Sequence, residues 1–135
     1  MNKRFPIVVI PVLIACLFVA NAIADYWHLY FYIWWLDIPM HILGGFWVAL
    51  TSLVLYYTFS GHKEKDRSVI FVWSLAIASA LSIGLIWEIY EFSVDKIFSA
   101  FDVKVADTLK DLGDDFIGGV LGAALFIIRG YNKKI

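Results

Sequence analysis

The stretch VIFVWSLAIASALSIGLIWEIYEF, residues 69–92, decides the fold. It runs to Trp87 without a charged side chain and then places Glu88 and Glu91 one helical turn apart among apolar neighbours. A bilayer core about 30 Å thick is crossed by roughly 20 apolar residues in a helix, so this segment reads as a membrane span. Three other stretches of similar length read the same way, residues 5–24, 38–59 and 111–128. Composition agrees: 61% hydrophobic and 18% aromatic residues with a mean hydropathy of +0.77 over 135 residues lie outside the range of soluble globular domains. The expected fold is all-α, a polytopic membrane protein whose residues 1–135 form one compact domain of four transmembrane helices.

The first span opens on the basic MNKRF and ends in Ala22-Ile23-Ala24, and LIAC at Cys16 resembles a lipoprotein cleavage box, as in a removable leader. Its near-spanning length, its continuation past Cys16 and the spans that follow favour an uncleaved helix. Cys16 is the sole cysteine, so no intrachain disulfide forms, and it is expected to be a small buried residue.

Orientation follows from the basic residues, which accumulate on the cytoplasmic side. With the N-terminus inside, Lys3, Arg4, Lys63, Lys65, Arg67, Arg129, Lys133 and Lys134 lie on the cytoplasmic side and only Lys96, Lys104 and Lys110 lie outside. Both termini are then cytoplasmic, in the cytoplasmic (inner) membrane. Of the twelve acidic residues only Glu64 and Asp66 fall inside, giving a balance of +6 inside and −7 outside. The positive-inside rule does not account for that acidic excess.

Depth along the helices gives the excess a location. At about 1.5 Å of rise per residue, His41, Glu88 and Asp111 come out roughly 27 to 30 Å above the cytoplasmic ends of their helices. Asp114 and Asp115 fall a turn deeper, Asp37 and Glu91 a turn higher. Asp37 and His41 are i,i+4, Glu88 and Glu91 are i,i+3, and Asp107, Asp111, Asp114 and Asp115 follow i,i+4,i+7,i+8, so each set shares a face. Ionisable groups at membrane depth are costly and generally face a bundle interior or a water-filled cavity. The expectation is a polar cavity open to the outside and walled by the second, third and fourth spans.

So many like charges repel one another unless some are protonated or a cation sits among them. Oxygen ligands with one imidazole suit a divalent cation such as Mg, Mn, Ca or Zn, and the lack of thiolates argues against a structural zinc knot. The expected metal ligands are Asp37, His41, Glu88 and Asp111 with Asp114 or Asp115; Glu91 and Asp107 would stand behind them or at the entrance. His41 and Glu88 are also the candidate catalytic residues, as general base. Simpler readings exist: Asp37 as the N-cap of the second span, Asp111 or Asp114 as that of the fourth, and His41 as a structural histidine. Capping explains each residue singly but not their meeting at one depth on three helices.

DYWHLYFYIWW, residues 25–35, reads as an interfacial aromatic belt or a re-entrant segment, with His28 on the surface. Gly118 with Gly122, the series Ala76, Ala80 and Gly84, and Gly44 with Gly45 would let helices approach closely, within the bundle or along a homodimer seam. GHKEKDRS, residues 61–68, reads as a solvated cytoplasmic turn with no nucleic-acid signal.

The layout LDIPMHILGG, then WEIYEF, then DTLKDLGDDFIGGVLGA resembles the small membrane proteins of the VanZ-like group, most of all its YjdF-type relatives. The shared pattern is Asp-x-x-x-His opening one helix, Glu near the end of the next, and Asp before a Gly-rich helix. Asp37, His41, Glu88 with Glu91, and Asp107 or Asp111 with Gly118, Gly119 and Gly122 occupy those positions, over roughly residues 36–124. The Glu-x-x-Gln with a nearby Arg associated with VanZ itself is Glu88 to Glu91 here, and no Arg lies on the outer side. The resemblance implies an envelope or lipid-related role, since VanZ is linked to glycopeptide-antibiotic tolerance, without implying a reaction.

Three function classes fit. A metal-dependent enzyme would act at the outer leaflet on a lipid head group or lipid-linked envelope precursor, although the outer side offers no Arg to clamp a phosphate. A binding or transport protein would take up a cation or protons. An accessory subunit would dock a partner membrane protein through its charged outer layer.

Overall fold

The chain forms α1 (Val9–Tyr26), α2 (Leu29–Tyr32), α3 (Asp37–Phe59), α4 (Val69–Phe98), α5 (Val105–Ile128) and α6 (Tyr131–Lys134) in a computed structural model that describes residues 5–59, 68–98 and 105–134. Among the described residues there is no strand. Lys3, Arg4, the charged turn at 61–67 and Lys104 fall outside the described residues, as does the Lys96 side chain.

Helix starts follow from proline placement. Pro11 and Pro39 each stand third in their helix, within the first turn, where no backbone N–H is needed by the helix and the fixed φ is already helical. α1 and α3, with Val69–Ser93 of α4, are long and apolar enough to cross a membrane. α5 differs, because Asp107, Lys110, Asp111, Asp114 and Asp115 all fall in its first eleven residues. It begins at Val105, six residues ahead of the start expected at 111. Asp111, Asp114 and Asp115 therefore lie within the helix, and the capping reading of Asp111 and Asp114 does not hold.

α3, α4 and α5 form a three-helix unit in which each packs on the other two. The approach of α3 and α5 is close enough to exclude side chains: a Cβ on Gly118 would overlap the Ile42 carbonyl oxygen and come within 2.6 Å of the Phe46 nitrogen. A Cβ on Gly45 would in turn strike the Asp115 backbone, 2.9 Å from its Cα. Gly119 faces Ala76 and Ala80 of α4, whereas Gly44 has nothing within 4 Å of its Cβ position. Gly45, Gly118 and Gly119, with Ala76 and Ala80, are thus used inside the chain and not along a dimer seam. At the end away from the aspartates, Gly130 (φ 66°) turns the chain back, and Tyr131 packs with Phe5, Tyr57 and Phe126.

α1 lies at the side of this unit, packed on α3 and held there by Trp47, whose indole Nε1 donates to the Ile10 carbonyl at 2.9 Å. Only Leu17 and Ala24 of α1 are buried. Cys16 is exposed, contrary to the expectation of a buried position, because the contact stripe of α1 passes through Leu17 instead.

Candidate metal centre

Asp37 opens α3 and His41 follows one turn later on the same face. The carboxylate of Asp37 suits the positive end of the helix dipole, yet its two oxygens are directed at side chains. Oδ1 lies 3.5 Å from His41 Nε2, and Oδ2 accepts from Lys110 Nζ at 3.1 Å. The other imidazole nitrogen, His41 Nδ1, lies 3.5 Å from Asp115 Oδ1. His41 and Asp115 are both buried, with side-chain exposures of 7% and 6%. A ring flanked in this way has either two N–H donors, as imidazolium, or one donor and one lone pair open to a metal.

Asp115 reaches this position because α4 has no side chain at residue 84. Its Oδ2 occupies the place a Cβ on Gly84 would take, and that oxygen has no hydrogen-bond partner. One turn earlier on α5, Lys110 gathers three carboxylates: Nζ is hydrogen-bonded to Asp37 and Asp111 and lies 3.8 Å from Asp114. Lys110 and Asp37 are the open end of the cluster, 39% and 33% exposed, and Asp111 below them is buried.

α4 supplies the remaining wall. The Glu88 side chain is buried within a residue that is half-buried as a whole, and its Oε1 has no hydrogen-bond partner. Glu91 stands one turn on. Two sets of donors result, Asp37/His41/Asp111 and His41/Glu88/Glu91, and in each the ligand atoms lie within 4.8 Å of one another. A cation about 2.0–2.2 Å from every ligand keeps them within about 4.4 Å of one another, and Ca²⁺ at about 2.3–2.6 Å allows about 5.2 Å. Three donors that share one cation cannot all lie opposite one another, so a set as wide as 4.8 Å would close by about 1 Å around the smaller cations and by a few tenths of an ångström around Ca²⁺.

The three helices thus bring Asp37, His41, Glu88, Glu91 and Asp111 together. Asp114 and Asp115 belong to neither set: Asp114 lies by Lys110, and Asp115 holds the back of the His41 ring. Glu91, expected behind the ligands, lies within donor reach of His41 and Glu88, because its i,i+3 step from Glu88 keeps it on the His41 side. Asp107, in the first turn of α5, is exposed and outside both sets. The aromatic segment is exposed at Tyr26, Trp27, Phe31, Tyr32, Trp34 and Trp35, and His28, also exposed, adopts the left-handed conformation at φ 53°.

Sequence reasoning missed Lys110, Tyr30 and Gly84 as parts of this centre. Lys110 counted only as an outside charge, although its i,i+4 relation to Asp114 was readable. Tyr30 lay hidden in an aromatic run. Its hydroxyl donates to Asn21 Oδ1 at 2.6 Å, tying α2 to α1, and Asn21 Nδ2 donates to Asp25. Burial, with Asp25, Asp37 and Glu91 nearby, pushes the Tyr30 phenol up to about 12, so it stays a neutral donor beside the acidic cluster.

The family described as "Predicted membrane protein (DUF2238)" matches residues 1–132. The chain belongs to that family. DUF2238 membership fits the three apolar helices long enough to span a bilayer. No curated protein and no solved structure matches the chain. What the DUF2238 match carries is a membrane protein family; the VanZ-like and YjdF-type likeness rests on the motifs.

Proposed function

We propose that this DUF2238 protein is a multi-pass protein of the cytoplasmic membrane in which α5 is a fourth span, both termini are cytoplasmic, and the α3–α4–α5 cluster faces outward. In this reading the cluster holds a divalent cation and presents it to the head group of a lipid or lipid-linked envelope precursor at the outer leaflet. The observation that carries it is the convergence of three helices on one buried imidazole, with two carboxylates within ligand reach on each side. A cation there would polarise a phosphoryl or carbonyl oxygen. His41, with carboxylates at both ring nitrogens, is better placed as a ligand than as a free base. Glu88 keeps an oxygen with no donor, open to a cation or a proton. The VanZ-like resemblance supports the envelope setting, and the basic residue asymmetry supports the orientation.

Elemental mass spectrometry of the detergent-purified protein tests this reading. Near-stoichiometric divalent metal is expected in the wild type and is expected to be lost in folded Asp37→Asn/His41→Ala/Asp111→Asn. Metal-free wild type would contradict it. A second reading, a non-enzymatic accessory subunit, is favoured by Lys110, which already supplies one positive charge to the cluster and ties α3 to α5. Metal-free protein that crosslinks to one dominant membrane partner would support that alternative.

A further inference from the structure

Lys110 divides the cluster into unequal halves. Its ammonium contacts Asp37, Asp111 and Asp114, all on the α3–α5 side. On the α4 side, no Lys or Arg among the described residues pairs with Glu88 or Glu91. The Glu88 side chain is buried there with Oε1 unpartnered. A buried acceptor without a donor loses its hydration with no replacement, and the loss is greater when the group is charged. A cation at that oxygen would satisfy it. In the Asp37–Asp111 half a cation would instead have to displace Lys110.

The imidazole adds a second constraint. Each set uses one His41 nitrogen, and Asp115 lies against Nδ1. Asp37 Oδ1 lies as near to Nε2, so neither ring nitrogen is free of a carboxylate and the neutral ring offers a cation one lone pair. One lone pair serves one cation.

We infer that a single divalent cation binds on the His41–Glu88–Glu91 side of the cluster, and that Lys110 is the built-in counter-ion that excludes a second cation from the Asp37–Asp111 side. This rests on the cation-binding reading above and names which half of the cluster performs it. Lys110 then also marks the mouth as cationic, so that a head group entering past Lys110 and Asp37 meets an ammonium before the bound metal.

The test is a Mn²⁺ titration of the full-length, chelator-stripped protein in detergent, with free Mn²⁺ counted by electron paramagnetic resonance. Wild type is expected to bind one equivalent. Glu88→Gln, of nearly the same shape, should lose it; if that variant does not fold, Glu91→Gln probes the same half and should weaken binding at least about tenfold. Lys110→Met should gain a second equivalent. One equivalent that survives Glu88→Gln but disappears with Asp111→Asn would overturn the assignment while leaving the cation-binding reading intact. A wild type that binds no Mn²⁺ would overturn both, and Lys110→Met that still binds only one would overturn the counter-ion role.

Discussion

α1 and α5 are opposites in both sequence and position. α1 has one charged side chain, Asp25, near its end, and it exposes Val12, Phe18, Val19 and Ile23, with only two residues buried. α5 carries five charged residues, yet it packs on both α3 and α4 and buries Asp111, Asp114, Asp115, Gly118, Gly119 and Gly122. In water the more apolar helix would be the inner one. A lipid surround removes that drive, because hydrocarbon solvates Val and Phe as well as a protein interior does, and inward position goes to small and polar residues. α5 is accordingly turned inside out, with Leu109, Phe116, Ile117, Leu121 and Ile128 exposed.

The largest test of this contrast is a charge on the outer face of α1. Phe18→Asp, near the middle of α1 and 74% exposed, should cost about 2.5–3.5 kcal/mol of insertion free energy, read as loss of membrane-inserted protein. Unchanged insertion would mean that Phe18 faces a polar interior. Next comes added volume. Gly118→Ala forces a methyl group into the backbone of α3 and should lower stability by about 1–3 kcal/mol in a denaturation assay, whereas the bulkier Cys16→Leu on α1 should change it by less than about 0.5 kcal/mol. Equal sensitivity at the two sites would remove the distinction between a packed and a lipid-facing helix. The smallest effect belongs to the partly exposed ammonium of α5. Lys110→Met should shift stability by less than about 1 kcal/mol, and a large loss would mark Lys110 as the principal tie between α3 and α5.

Much of this was legible in the sequence. Unbroken apolar runs gave the three spans, and the i,i+3 and i,i+4 steps of Asp37, His41, Glu88 and Glu91 gave their common faces. Depth counting brought them to one layer because α3 and α4 are continuous there, so rise converts directly to height. What was not legible depends on rotation and on exact helix ends. The start of α5 at Val105 was hidden because its first turns are polar and show no apolar run. That Glu91 comes within reach of His41 and Glu88 while Asp115 lies against the His41 ring depends on how far α4 and α5 rotate about their axes, which Gly45, Gly84 and Gly118 set through close contacts that spacing does not report. Cys16 was misplaced for a related reason: α1 is apolar on every side around it, from residue 9 to residue 20, and has no periodicity there to show which stripe is packed.

The central claim is that α5 crosses the membrane with its acidic end outward, which cysteine labelling tests most directly. In a Cys16→Ala background, single cysteines replace Asp107, exposed in the first turn of α5, and Lys133, exposed in α6. Intact cells are then treated with a membrane-impermeant maleimide. The account predicts that Asp107→Cys labels in intact cells and Lys133→Cys only after lysis. Labelling of both before lysis would mean that α5 does not cross, and labelling of Asp107→Cys only after lysis would put the cluster on the inner side; either result contradicts the account.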